Sequence, residues 1–270
     1  MGKTLEAPQP QQRLAFGVEY DGGAFHGWQI QAGVATVQGA LERALSAVAA
    51  EPVRVVTAGR TDAGVHATGQ VVHFDTLSRR SDYAWVRGTN TQAPRGLAVN
   101  WVWNVSRDFH ARFSATGRAY RYIILNRAVR PTILAGRVAW FYRPLNVEAM
   151  QQAADYLIGR HDFSAYRASS CQSHLPVREV RKLDVSRARE WVLIDIEADG
   201  FLHHMVRNIA GVLCAIGSGD QAPGWAQEVL ESCDRRSGGV TASADGLYLT
   251  RVDYPGQFNL PMSPPPCQYW

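Results

Sequence analysis

The chain changes its hydrophobic period in a fixed order, and that order limits the folds open to it. Leu14, Phe16, Val18 and Tyr20 recur at every second residue, the period of a half-buried strand. The run ends in Asp21-Gly22-Gly23, a turn sequence. From Val37 the spacing becomes helical through Leu41, Leu45 and Val48, with Thr36 placed to cap the first turn. Stretches rich in β-branched residues predict strands at 53–57 and 70–75, followed by a helix within 81–92 and a strand at 97–103. The first half therefore reads β-α-β-β-α-β, a mixed or antiparallel sheet with helices on one face. Residues 108–114 read as a connector. Beyond it the pattern predicts a strand at 118–125, a helix over about 146–159, a hairpin of 177–186 with 191–198, helices near 204–217 and 223–233, and a last strand at 247–252. The expected fold class is α+β. Two similar α/β subdomains, 13–112 and 113–255, share a largely antiparallel mixed sheet, with the active-site cleft between the halves. Residues 1–12 are expected to be frayed and the proline-rich tail 256–270 irregular.

Composition narrows the partners. Of 28 basic residues, 26 are arginine, and the formal net charge is +4. Arginine forks onto phosphates and stacks on bases, which suits a nucleic-acid partner, although a GC-rich genome produces the same bias. The four cysteines are scattered with no Cys-x-x-Cys pair, as expected of core residues or free thiols in a reducing compartment. No apolar run approaches about 18 residues and no signal-peptide pattern opens the chain, so neither a membrane span nor a membrane partner is expected, and the expected location is the cytoplasm.

Chemistry concentrates in Ala58-Gly59-Arg60-Thr61-Asp62-Ala63-Gly64-Val65-His66-Ala67. A lone carboxylate lies between two glycines, on a loop between two predicted strands, where catalytic groups tend to be presented. Asp-Ala-Gly is also ordinary turn chemistry, so a capping role for Asp62 fits as well. Gly59 and Gly64 are both expected to allow positive φ or close approach.

The predicted helix after Phe201-Leu202-His203-His204 is apolar or small all round, with Arg207 its one charge between 204 and 218. A buried arginine requires an anionic partner: Asp62, or alternatively Asp195, Glu197 or Asp199 on the preceding strand. The small residues Ala210, Gly211, Cys214 and Ser218 leave room beside it for a close approach. In the strand 117–124, Arg118, Tyr120 and Tyr122 share a face that suits either base stacking or plain cross-strand packing. His66, His73, His203 and His204 show no metal-ligand spacing with a matching carboxylate, so no metal site is expected, and they are given no role beyond packing and hydrogen bonds. Gly-x-Gly-x-x-Gly, Walker and Gly-x-Ser-x-Gly motifs are absent, which leaves nucleotide-cofactor and serine-hydrolase readings without support.

The loop 59–66 resembles the active-site loop of the tRNA pseudouridine synthase A (TruA) family. Tyr20-Asp21-Gly22 with Phe25 and Gly27-Trp28-Gln29, Phe109-His110-Ala111-Arg112-Phe113, Arg118-Ala119-Tyr120-Arg121-Tyr122, Phe201 to Asn208, and Gly246-Leu247-Tyr248-Leu249 resemble its other motifs, in order, over roughly 13–255. The resemblance implies an isomerase that converts uridine to pseudouridine at positions 38, 39 and 40 of the tRNA anticodon stem–loop, with no cofactor or metal. It implies Asp62 as the catalytic aspartate, Arg207 as its ion-pair partner and Tyr120 as the ring stacked on the flipped base. By the same resemblance Arg60 holds the nucleotide, Leu247 lines the pocket, and the protein is a homodimer with tRNA spanning both subunits.

Overall fold

The computed structural model describes residues 11–261 except 172 and 174. Most of the segment expected to fray (1–10) and most of the proline-rich tail (262–270) lie outside the described residues. Fifteen regular elements follow in chain order: β1 (Gln12–Tyr20), α1 (Val37–Ala49), β2 (Val56–Thr57), β3 (His66–Thr76), α2 (Asp82–Gln92), β4 (Leu97–Val105), β5 (Gly117–Asn126), β6 (Ala139–Phe141), α3 (Val147–Asp155), β7 (Gly159–Asp162), β8 (Val177–Ala188), β9 (Trp191–Ala198), α4 (Met205–Gly217), α5 (Trp225–Ser232) and β10 (Leu247–Asp253).

Thr36 caps α1 as its sequence predicts, and two further helices start in the same way. Thr36, Ser81 and Asn146 each take extended backbone and accept an amide hydrogen from the first turn. The strand expected at 53–57 shrinks to β2. The N–H of Val53 donates to Ser46 Oγ and that of Val55 to Glu42 Oε1, so α1 satisfies backbone that the pattern assigned to a ladder. β6 and β7, three and four residues long, are too short to carry a readable period. No helix among the described residues is long and apolar enough to cross a membrane.

The strands form one mixed, mostly antiparallel sheet in the order β4-β1-β3-β10-β5-β9-β8-β7, with β2 on β3 and β6 on β5. Its centre is β10, antiparallel to β5 and parallel to β3 through Tyr248 opposite His66 and Leu249 opposite Ala67. All five helices cover one face. α1 and α2 build a core with β1 and β3, and α3, α4 and α5 build a second with β5, β8 and β9; Tyr120 packs against both. Tyr120 therefore marks the seam between the two cores. On the other face Ile123, Leu125, Val138 and Tyr248 make a small third cluster.

Candidate active site

Asp62 projects from the loop between β2 and β3, directly beside that seam. The N–H of Val65 donates to the Asp62 carbonyl at 3.1 Å, closing a turn. Gly64, its third residue, has φ 81°, where a type II turn needs a residue without Cβ. Gly59 does not share this role: its φ is not positive and a Cβ there would meet open space. The loop is fixed from below. The Tyr20 hydroxyl is 2.8 Å from Thr61 Oγ1, Gln70 Nε2 donates to the Gly59 carbonyl at 2.7 Å, and the Trp28 N–H donates to the Thr61 carbonyl at 3.0 Å. His66 serves the same frame. Its Nδ1 accepts the Gly22 N–H at 3.0 Å, its ring stacks on Tyr248, and burial pushes its pKa down.

The partner of Arg207 is the loop carboxylate rather than Asp195, Glu197 or Asp199: Arg207 Nη1 lies 3.4 Å from Asp62 Oδ2. Its Nε donates to the Ala242 carbonyl at 2.8 Å, which fixes the guanidinium between the segment before β10 and the Asp62 loop. The space beside the small residues of α4 is used differently from the expectation. A Cβ on Gly211 would fall 1.9 Å from the Val240 carbonyl oxygen, so the segment before β10, not the Asp62 loop, lies against that face.

The histidines depart furthest from the sequence reading. His203 Nε2 is 3.1 Å from Asp62 Oδ1, and His204 Nε2 is 3.3 Å from Asp62 Oδ2. His204, at the N-terminus of α4, has φ 62°. This left-handed residue breaks the helical progression, and the two rings meet with centroids 4.1 Å apart. Burial pushes the His204 pKa down, and the Asp62 charge only partly offsets it. Neighbouring residues joined by a left-handed turn match no ligand or helix spacing, so the spacing rule passed over them. The doubled histidine three residues before Arg207 was the available signal. Asp62 keeps 25% of its side-chain surface and His203 keeps 40%, so the group opens to solvent.

Tyr120 is half-buried and meets Phe201 edge-on at 5.1 Å. Burial raises its phenol pKa strongly, and the nearby Tyr20 and Asp62 raise it further, so it remains protonated. The other two members of its strand face are structural. Arg118 donates to the carbonyls of Asp199 and Arg112 at 2.9 Å and of Ala58 at 3.2 Å, and the buried Tyr122 donates to the Ser243 carbonyl at 2.9 Å. Arg60 is exposed two residues from Asp62, and no ion pair or hydrogen bond engages it among the described residues. Leu247, the first residue of β10, is buried opposite Tyr122, while Leu249 takes the position opposite Tyr120.

The family model described as tRNA pseudouridine synthase matches residues 17–114 and 153–255. A tRNA pseudouridine synthase A of Nitrosococcus oceani is 58% identical over 258 residues, covering 96% of this chain and 100% of that protein. The protein of that name from Coxiella burnetii is 55% identical over 252 residues, 93% of this chain and 97% of its own length. One from an Enterobacter species is 53% identical over 256 residues, 95% of each chain.

Proposed function

The chain belongs to the tRNA pseudouridine synthase family, and on that premise we propose that Asp62 carries out the isomerisation, on uridines 38, 39 and 40 of the anticodon stem–loop. The protein is an isomerase acting on uridine in tRNA. In the reaction the bond from N1 to the ribose C1′ breaks and a bond from C5 to C1′ forms. The C5 proton leaves to solvent and N1 gains one, so atoms balance without an external reagent. One carboxylate at an open seam is the group able to attack base or sugar or to take the ribose C2′ proton. Arg207 orients that carboxylate and offsets its charge. Tyr120, neutral and presented at the seam, gives the flipped base a ring to stack on. Arg60 is free to take a phosphate, and Leu247 backs the apolar side of the pocket. The halves 13–112 and 113–255 close around the nucleotide, the working form is a cytoplasmic homodimer, and the stem–loop is recognised by shape.

The observation that carries this reading is the 3.4 Å contact between Asp62 on the loop before β3 and Arg207 on α4. It is tested with tRNA transcripts tritiated at uridine C5. Wild type should release tritium, and Asp62→Asn should lose at least about 1000-fold in rate, about 4 kcal/mol of transition-state stabilisation, while still binding tRNA. Release by the variant at the wild-type rate would remove Asp62 from the chemistry. Binding by both proteins with release by neither would leave an RNA-binding module.

A further inference from the structure

Asp62, His203 and His204 can each offer one ligand atom, and these atoms all lie within 4.8 Å of one another. We infer that this trio is a binding site for a single divalent cation of the zinc class, and that a bound ion shuts the isomerase off. The second half of the inference rests on Asp62 as the reacting carboxylate; the first half does not.

Two imidazole nitrogens with one carboxylate oxygen form a ligand set suited to zinc and its neighbours and poorly suited to magnesium, which demands oxygen and keeps its water. Donor atoms bonded at about 2.1 Å around a four-coordinate ion stand roughly 3.4 Å apart. Here Nε2 of His203 is 3.1 Å from Oδ1 and Nε2 of His204 is 3.3 Å from Oδ2, both near that spacing, and the three donor atoms together span no more than 4.8 Å, so a bound ion would draw them closer. His203 also has an outer partner of the kind that orients metal-bound imidazoles, Ser170 Oγ at 3.4 Å from its Nδ1. All three side chains keep solvent exposure, 25% for Asp62, 40% for His203 and 29% for His204, which provides the entry path and leaves a fourth position for water.

Arg207 opposes the ion. Its guanidinium stands 3.4 Å from Oδ2 and is tied to the Ala242 carbonyl, so it cannot withdraw freely. This opposition gives the inference a distinctive signature: loss of a histidine should weaken the ion, and loss of the arginine charge should strengthen it.

The test titrates zinc chloride into the full chain without RNA, followed by calorimetry and by competition with a coloured chelator. Wild type should bind one ion per chain. His203→Gln and His204→Gln should each weaken binding at least about tenfold, Arg207→Gln should tighten it, and Cys171→Ser with Cys233→Ser should leave it unchanged. Magnesium chloride should give no binding. Tritium release by wild type should fall as zinc fills the site and return with EDTA. Absence of stoichiometric binding, or undiminished binding when both histidines are replaced, would overturn the site. Because the titration involves no turnover, its failure would leave the isomerase reading intact, and failure of tritium release would leave the titration interpretable.

Discussion

His73 shows how one buried side chain ties stability to pH. It lies on β3, almost fully buried, and its Nδ1 accepts the N–H of Ala111, in the segment between β4 and β5, at 3.1 Å. Burial, with smaller pushes from Arg13 and His110, lowers its pKa from 6.5 to about 4. The folded chain therefore holds the ring neutral where the unfolded chain would protonate it. Between about pH 6.5 and 4 the unfolded state binds more protons, so stability rises with pH across that window. The contribution is complete above about 6.5 and is lost as pH falls to 4, roughly 3 kcal/mol as an order of magnitude. His73→Asn keeps an acceptor near Nδ1 and removes the titration. Urea midpoints at pH 7 and 4.5 should fall further for wild type than for the variant; parallel falls would assign the acid sensitivity elsewhere.

At the scale of elements, what the sequence disclosed depended on whether a signal was periodic. The long strands and all five helices were legible because Leu14 to Tyr20, or Val37 to Val48, repeat a burial pattern that one face of a sheet imposes. That Arg207 needs an anion was legible for a related reason, since a lone charge on an otherwise apolar helix has to find one, but the helix left Asp62, Asp195, Glu197 and Asp199 open and only the family resemblance named Asp62. β6 and β7, the left-handed His204, and the exact use of Gly211 were not legible, since each depends on a neighbour distant in sequence. Gly211 gives the sharpest test of that point. α4 packs its Gly211 face against the Val240 carbonyl, and the same segment returns hydrogen bonds to Arg207, with Ala242 N–H donating to the Arg207 carbonyl at 3.1 Å. Gly211→Ala raises helix propensity by about 1 kcal/mol, so an isolated helix would gain from it. In the folded chain the added methyl must displace residues 240–242 and with them the tether on the guanidinium. Expected are a destabilisation of about 1–3 kcal/mol and a melting temperature lower by several degrees, with a fall in tritium release larger than the fall in tRNA affinity. An unchanged or higher melting temperature would show that the segment yields without cost.

Across the whole molecule, one sheet carries two cores, and its last strand joins them. β10 places Leu247 in the core of α3, α4 and α5 and Leu249 in that of α1 and α2, so this strand fixes how the two cores meet. The cluster at that junction joins Asp62 of the loop before β3 to His203, His204 and Arg207 at the start of α4, so it exists only in the assembled chain. Charge acts at the same scale. Much of the arginine excess is consumed internally, Arg118 on carbonyls, Arg121 on Asp195 and Arg207 on Asp62, so the count of 26 overstates what a polyanion would meet. Arg60 is different, being exposed, without a partner among the described residues, and two residues from Asp62. If it takes a phosphate, it releases about one counterion on binding. Arg60→Ala should then weaken tRNA binding at low salt, and the slope of log affinity against log salt between about 50 and 200 mM should become shallower by about one. Stability should not change, because the side chain is solvated in the free protein. A parallel line, offset but with unchanged slope, would mean that Arg60 contacts a base or sugar and that the phosphate charge is met by other arginines.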